Sequence, residues 1–510
     1  MAARFDRPAA AVGPGARPLP ESRAPRSCKR PGMQSRSTFY TWRSALGCLA
    51  SAALTAGCSL APAYQRPPAP VPEQWADGTA QATNDPAPPG VNLDWREFVV
   101  DPTLRELVAL ALANNRDLRQ ALLNVEAARA EYRVQRADRL PTLQLDASGV
   151  RQRALGTPEV ESSYQAGLGL AAFELDLFGR ARNLSAAALQ EYLATERAAH
   201  GARVSLVAEV VQAYLVRDGA QQRYRIATDI LQARETSLRL TAQLRASGVA
   251  NELDHQEAVG LVEQVKVDLE RIDREFRQAS NALSLLLGVA DAGERLPALP
   301  ATGTALVQAI APETPSALLM RRPDIRAAEH RLKARHASIG AARAAFFPRI
   351  ALTGTSGRGS TELSDLFGSA GQRLWSFSPQ LTLPIFDAGR NRGDLDLAHV
   401  RKDIAIAAYE QAIQAAFQEV SDALAATDTL AREEASQWAA ARATAEALRL
   451  SEARYRSGVD DHLRLLEAQR SDFASQMALV EVQTQRQIAL STLFRALGGG
   501  WRGDLSARAP

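Results

Sequence analysis

The chain has 510 residues, of which 46% are hydrophobic, 23% are charged and 6% are aromatic. This length allows two or three ordinary domains or one elongated one, and a chain dominated by Ala, Leu, Arg, Glu and Gln favours long helices over a compact mixed core. The net charge is +3, but residues 1–57 hold nine Lys/Arg and two Asp/Glu, so they carry +7 and the remaining residues carry −4. That balance argues against a nucleic-acid-binding protein.

Residues 1–57 are predicted to be an N-terminal extension and a lipoprotein signal peptide, with Met33 as a plausible true start. From Met33 the order is two charges (Arg36 and Arg43), an apolar run over residues 45–56, and then Gly57-Cys58. That order is typical of a secretory signal. The run LTAGC over residues 54–58 resembles a bacterial lipoprotein cleavage site, although threonine stands where leucine is usual three positions before the cysteine.

The three cysteines, Cys28, Cys48 and Cys58, all lie within the first 58 residues. The rest of the chain therefore has no internal disulfide and no zinc-type Cys/His spacing. Cys58 is the only cysteine that a mature chain would keep, which favours a lipoprotein over an ordinary signal peptide with a chance cysteine. We expect covalent lipid on Cys58, no other cofactor and no metal site. Residues 58–100 are rich in proline and are predicted to be a lipidated tether with no core of its own.

The first repeat is predicted over residues 101–289. An amphipathic helix starts near Leu104 and continues past Asn115 to Arg139, and two alternating strands follow at about 141–153 and 163–177. A proline-free helical pattern then reaches residue 246, which corresponds to roughly 100 Å at about 1.5 Å per residue. Residues 247–250 interrupt it, and a second helix returns to residue 288.

The second repeat is predicted over residues 316–498, after a linker at 290–315 and before a tail at 499–510. Pairs of like residues are separated by 207 positions, as in Asp117 and Asp324 or Pro141 and Pro348. Strands are predicted at about 349–358 and 376–386. After the second strand the offset rises to 210, so Gly458 matches Gly248. The chain is therefore predicted to be an internal duplication of helix, two strands and a helical hairpin.

The four predicted strands are about as long as membrane β-strands and alternate one apolar face with one small or polar face. The sequence holds no apolar run of roughly 18 residues that would span a bilayer as a helix. Membrane barrels need about eight strands or more, so one chain is too small to close one. Two chains would supply eight strands and three would supply twelve. The predicted fold class is mostly α with a membrane β-barrel part, in which several chains share one β-pore continued by an α-helical tube.

The chain resembles the outer membrane factor family, the TolC-like exit ducts of efflux pumps, in its lipoprotein branch. The motifs that carry the resemblance are RRPDIRAAEHRLKARHASIGAARAAFFPRIALTG, FELDLFGRARN, PIFDAGRNRG, RASGVANELDHQEA and YRSGVDDHLRLLEAQR. The resemblance implies a homotrimer with a twelve-stranded barrel in the bacterial outer membrane and a long helical barrel in the periplasm. It also implies docking to a periplasmic adaptor and to an inner-membrane transporter, often of the resistance-nodulation-division type, for export of drugs or other small toxic compounds.

The resemblance also assigns roles to residues at the two hairpin ends. The segment after the second end would constrict the periplasmic opening, with Leu463 as an apolar constriction and Glu467 as a ring of carboxylates paired with Arg470. Glutamate stands where the family usually has aspartate. Asp460 and Asp461 would add negative charge at the mouth and favour cations. The adaptor would dock on the hairpin ends, which consist of Ser247, Gly248, Val249, Ser457, Gly458 and Val459.

Two other classes of protein were weighed against an export channel. An enzyme would need a reactive constellation, but the six histidines are scattered along helices, and motifs such as HExxH, GxSxG and a phosphate loop are missing from the sequence. A structural coiled-coil lipoprotein would explain the helices but not four alternating strands in duplicate. The sequence therefore predicts a channel without enzymatic activity.

Overall fold

The computed structural model describes residues 59–72, 75, 93–153, 158–293, 296, 305–310, 319 and 321–499. Cys58, the predicted leader and most of the predicted linker and tail lie outside these residues. The elements, in chain order, are α1 Trp95–Phe98, α2 Pro102–Asn114, α3 Arg116–Ala137, β1 Leu143–Gln152, β2 Glu161–Leu175, α4 Arg180–Ala246, α5 Glu252–Leu287, α6 Pro323–Ala344, β3 Arg349–Ser360, β4 Gln372–Thr382, α7 Arg390–Arg456 and α8 His462–Ala496.

The elements occur twice in the same order, as helix, strand, strand, long helix and returning helix. Helices α4 and α7 each have 67 residues, and the returning helices α5 and α8 have 36 and 35. The prediction of a mostly helical chain with four strands is confirmed. No helix among the described residues is both long enough and apolar enough to cross a membrane.

The first predicted helix is broken at Asn115, where the sequence analysis expected it to continue from Leu104 to Arg139. The backbone of Asn115 is extended, with φ −58° and ψ 131°, and its side-chain oxygen accepts a hydrogen bond from Leu118 N at 2.8 Å. Its amide nitrogen donates to Leu286 O at 3.0 Å. Asn115 therefore caps α3 and ties it to the end of α5, a tertiary contact that helical periodicity does not reveal.

The four strands form one antiparallel sheet in the order β1-β2-β3-β4. A shift in register between Leu170 and Phe173 leaves Ala172 at φ 33°. The fourth strand differs from its prediction at 376–386, because it begins at Gln372 and ends at Thr382. Pro384 lies just beyond this end, but β4 is an edge strand that also contains Pro379, so the strand tolerates proline. Leu383 and Ile385 lie outside the strand.

The main hydrophobic core joins the two repeats near the ends of the chain. The rings of Phe98 and Phe494 stack with centroids 4.3 Å apart, and both side chains are buried. Beside this core, the buried Arg322 donates to Ala496 O at 2.8 Å and pairs with Asp324 and Glu419. The start of α6 is thereby fixed to α7 and to the last turn of α8.

Residues 59–72, here called the strap, have no regular secondary structure but pack along α6. Tyr64 and Val71 contact a buried cluster that includes Ile325, Leu332 and Tyr409. The predicted tether was expected to have no core of its own, and the strap packs on a buried cluster that other parts of the chain form. Prolines keep the strap extended, yet its remaining side chains reach a hydrophobic surface that belongs to the second repeat.

One glutamate holds the strap in place. Arg66 donates to both carboxylate oxygens of Glu329 at 2.9 Å, and Tyr64 Oη donates to the same group at 3.2 Å. Lys333 Nζ lies 3.0 Å from Glu329 Oε1. Burial raises the pKa of Glu329, but the hydrogen bonds and charges of Lys333 and Arg66 outweigh burial, so the net pKa lies below the ordinary value. Glu329 is therefore a buried carboxylate with its charge compensated.

Candidate functional site

The sheet has two chemically different faces. Directly paired residues share a face, so the register places Leu145, Leu168, Ser356 and Trp375 together, and Trp375 is 79% exposed. The flanking rows on the same face are Leu143, Leu170, Gly354 and Phe377 on one side and, towards the β3–β4 connection, Ala147, Ala166, Arg358 and Arg373 on the other. The rows on the opposite face are Gln144, Gly169, Thr355 and Ser376, then Asp146, Gly167, Gly357 and Leu374, and then Ser148, Gln165, Gly359 and Gln372. An exposed apolar face behind a small, polar face is the pattern of a sheet between lipid and water.

The two outer strands of the sheet leave backbone groups without strand partners in the described chain. β1 pairs only with β2, and β4 pairs only with β3. All residues of β1 and β4 are exposed. A long, exposed and apolar edge strand is a template for pairing with another chain. Each chain therefore offers two edges that another copy could complete.

The two hairpin ends have the same backbone structure. Gly248 and Gly458 have φ of +76° and +72°, a left-handed conformation that side chains with a Cβ rarely adopt. The following Val249 N and Val459 N donate to Leu244 O and Arg454 O at 2.9 and 3.0 Å. These are helix-terminating Schellman bonds, which satisfy the last carbonyls of α4 and α7.

The hairpin ends also present the same side chains. Ser247 Oγ and Ser457 Oγ each donate to the carbonyl oxygens three and four residues earlier. Val249 is 74% exposed and Val459 is 61% exposed. Each repeat of the chain therefore places one small, exposed apolar side chain on a fixed turn.

The three residues predicted to constrict the opening lie on one stripe of α8. Leu463 is 53% exposed, and Glu467 and Arg470 are also exposed, at spacings of four and three residues. Leu465 and Leu466 between them are buried against the rest of the chain. The stripe therefore faces away from the chain's own helices. Within the described residues, Glu467 and Arg470 form no ion pair with each other, so the predicted pairing does not occur inside one chain.

The two aspartates predicted to line the mouth have local partners. Arg454 donates to both oxygens of Asp460 at 2.7 and 2.8 Å, which lowers the pKa of that carboxyl. Asp461 is the N-cap of α8 and accepts from Arg464 N at 3.1 Å. Asp460 thus stabilises the turn as an ion pair rather than contributing a free charge, and Asp461 begins the helix.

The sequence analysis missed three groups of charged or metal-ligating side chains that lie close together in the fold. The first is the strap network around Glu329, and the second is the Arg322 cluster. The third comprises Asp254, Glu257 and His462, which the fold brings together although no metal site was predicted. Each group joins residues from distant parts of the chain, so no local motif could have revealed it.

Comparison with known proteins gives consistent results over nearly the whole chain. The family described as Outer membrane efflux protein matches residues 107–289 and 314–499. Outer membrane protein OprJ of Pseudomonas aeruginosa is 58% identical, covering 88% of this chain and 94% of OprJ. A probable efflux pump outer membrane protein, TtgC of Pseudomonas putida, is 42% identical, covering 90% of this chain and 96% of TtgC.

A solved structure also resembles this chain. The open state of the Neisseria gonorrhoeae MtrE outer membrane channel superposes with a TM-score of 0.79 at 40% identity. The match covers 87% of this chain and 98% of MtrE. Because the family match extends over most of both repeats and the relatives are aligned over nearly their full lengths, the chain belongs to the outer membrane efflux protein family.

Proposed function

We propose that three copies of this chain form the outer-membrane exit duct of a tripartite efflux pump. The observation that carries the proposal is the four-stranded sheet with one apolar face, one polar face and two unpaired edges. Closing these edges between copies removes every exposed strand edge and places the apolar side chains against lipid. Helices α4, α5, α7 and α8 then continue the pore as a tunnel in the periplasm.

The width of the pore favours three copies over two. Two chains would supply eight strands, and the interior of an eight-stranded barrel is just wide enough to be filled by its own side chains. Three chains supply twelve strands and leave a wider lumen, lined here mostly by glycine, serine, threonine and glutamine, together with Asp146 and Leu374. Such a lumen suits passage of drugs and other small toxic compounds, whose selection we assign to the inner-membrane transporter.

Assembly and conductance test this proposal directly. The detergent-purified protein should have the mass of three chains, and it should form ion-conducting pores in planar bilayers. A mass of one or two chains would contradict the shared twelve-stranded barrel. A stable trimer without conductance would leave a structural lipoprotein as the better description.

We further propose that a periplasmic adaptor docks on the hairpin ends and links the duct to a transporter, of which the resistance-nodulation-division type is the leading candidate. The exposed Val249 and Val459 offer small apolar contacts on rigid turns. A photo-crosslinking residue at Val459 should capture the adaptor, and Gly458→Trp should block drug export while trimers remain in the membrane. The reason is that the large tryptophan side chain would keep the adaptor from the docking surface.

Two controls separate docking from folding in this experiment. Because Gly458 has positive φ, any larger residue there is strained by about 1 kcal/mol, so Gly458→Ala reports strain without bulk and should retain most export. The same crosslinker at Arg449, about two helical turns before the end of α7, should capture less adaptor. Equal capture at both positions, or none at Val459, would remove the hairpin end from the docking surface.

We also propose that Cys58 carries the lipid that anchors the chain to the outer membrane. It immediately precedes the strap, whose first residue, Ser59, donates a hydrogen bond to Asn183 at 3.1 Å. A lipid at this position would therefore sit at the start of an ordered segment. Radioactive palmitate should label the wild-type protein, and Cys58→Ser should abolish the label.

A further inference from the structure

A cluster of metal-ligating side chains lies where the two hairpins return. Asp254, Glu257 and His462 each offer one ligand atom, and these atoms all lie within 4.8 Å of one another. Asp254 and Glu257 are three residues apart in the first turns of α5 and share one face of that helix. His462 is the first residue of α8. The cluster therefore joins the first repeat to the second at the ends that lead from the hairpin turns.

The local structure holds these three side chains at the starts of their helices. Asn251 and Asp254 form a capping box, in which Asn251 Oδ1 accepts from Asp254 N at 2.8 Å. Asp461 caps α8 immediately before His462, and the Tyr455 ring lies 5.5 Å from the imidazole. The site is thus built on helix termini whose positions are fixed by their own caps, which suits a preorganised ligand set.

The imidazole of His462 has a ring nitrogen that is available to a metal. Its Nδ1, like those of His255 and His336, is buried and makes no hydrogen bond within the part of the chain that the structure describes. A buried ring nitrogen without a partner carries a free-energy cost that a bound ion would remove. Asp254 and Glu257, moreover, form no ion pair with any described residue, so two neighbouring carboxylates lack a cation.

The internal duplication makes this cluster specific to one pairing of helices. At the offset of 210, Glu252 corresponds to His462 and Asp254 corresponds to Arg464. The two repeats differ at both of these positions. The first repeat has a carboxylate at Asp254 where α8 has Arg464, and the second has a histidine at His462 where α5 has Glu252. Neither helix has the full ligand set alone.

We propose that Asp254, Glu257 and His462 bind a divalent late transition metal of the zinc class. Imidazole with two carboxylates suits zinc, whereas calcium and magnesium prefer all-oxygen sites. Zinc ligands lie about 2.0–2.2 Å from the ion, so two ligands of one ion are at most about 4.4 Å apart. The half-buried side chains reach that spacing by a small rotation. Three protein ligands leave a fourth position for water.

Metal binding here would tie the start of α5 to the start of α8. This consequence rests on the proposed function, because both helices would line the periplasmic end of the tunnel. Bound metal restrains the two hairpins relative to each other and stabilises the narrow state of the opening. Zinc should therefore lower conductance, and its removal by a chelator should restore it.

Binding is tested without any need for a pore. Trimer purified through a non-histidine tag is stripped with chelator and dialysed against zinc alone. The wild type should bind one zinc per chain, and His462→Gln should weaken binding by more than about tenfold, since even loss of an outer-shell partner costs 10–100-fold. His255→Gln, a neighbouring histidine outside the cluster, should bind like the wild type. No zinc bound by the wild type, or equal binding by His462→Gln, would overturn the site.

The effect on the channel is tested separately in planar bilayers. Zinc should reduce wild-type conductance and leave the conductance of His462→Gln unchanged. An equal reduction in both proteins would show that zinc acts elsewhere and would overturn the link to opening. A trimer that binds zinc through His462 but conducts no ions would refute the proposed channel function and not the metal site.

Discussion

Replacing Leu463 and Glu467 together with alanine should raise the conductance of the purified trimer several-fold. Leu463, Glu467 and Arg470 form an exposed stripe on α8, while Leu465 and Leu466 face the chain's own core. In the proposed trimer, three such stripes surround one axis, so leucine narrows the opening and the carboxylates form a ring. Removing both side chains widens the constriction and lowers the preference for cations.

Glu467 and Arg470 form no ion pair with each other among the described residues of one chain, so the cation that compensates Glu467 has to come from another copy. Like carboxylates brought together at an axis need a nearby cation, and Arg470 from a neighbouring copy is the candidate for that role. Glu467→Ala alone should therefore reduce cation selectivity more than it raises conductance. In an exposed surface pair, by contrast, each interaction would contribute only about 0.2–0.5 kcal/mol and its loss would leave the pore unchanged.

A matched control comes from the duplication. Leu253 occupies the position in α5 that Leu463 occupies in α8, and it is similarly exposed. Leu253→Ala should leave conductance near the wild-type value if the constriction belongs to the second repeat. Unchanged conductance in the Leu463/Glu467 double variant would remove both residues from the constriction, and an equal rise in Leu253→Ala would remove its assignment to α8.

Periodicity was sufficient to predict the repeated elements, and the resemblance to the outer membrane factor family supplied their functional class. The strands were located where the spacing of apolar residues changes from about 3.6 to 2, and the long proline-free stretches predicted α4 and α7. The turns at the hairpin ends were predicted because Ser-Gly-Val segments interrupt the helical pattern at residues 247–249 and 457–459. Family membership confirms both the resemblance and the prediction that the chain is not an enzyme.

Three differences from prediction arise from contacts between distant residues. Asn115 breaks a helix because its side chain reaches α5, 171 residues away. The Pro-rich segment is ordered because Arg66 and Tyr64 meet Glu329, more than 260 residues later in the chain. His462 approaches Asp254 only because α5 and α8 begin at neighbouring hairpin ends. Propensity and spacing describe single elements, so none of these contacts could be read from the sequence.

Glu329→Ala should release the strap without removing the proposed lipid. The substitution leaves Arg66, Lys333 and Tyr64 Oη without their shared acceptor. Loss of a buried hydrogen-bonded acceptor costs about 1–3 kcal/mol. The Arg66 side chain is 42% exposed and returns to water, so the low end of that range applies. The strap should therefore open more often in the variant.

Chymotrypsin measures this opening, because Tyr64 lies inside the strap and is a cleavage site only when the strap detaches. Cleavage after Tyr64 should be about fivefold faster in Glu329→Ala, since about 1 kcal/mol is lost and each factor of ten in the population of the open form corresponds to about 1.4 kcal/mol. Arg335→Ala is the control: Arg335 lies on the same helix as Glu329, pairs with Glu191 of α4, and forms no hydrogen bond or ion pair with the described residues of the strap. Equal rates in all three proteins would mean that Glu329 does not hold the strap.

The stabilisation of the strap by Glu329 depends on pH in a definite direction. The folded-state pKa of Glu329 lies below its ordinary value of 4.5, so its stabilising contribution is fully present above that value and is lost as the pH falls through the folded pKa. The difference between wild type and Glu329→Ala should therefore be constant across the neutral range, where chymotrypsin works. Palmitate labelling should be normal in Glu329→Ala and absent in Cys58→Ser. If Glu329→Ala also lost the label, the strap would be required for lipidation, and the two attachments would not be independent.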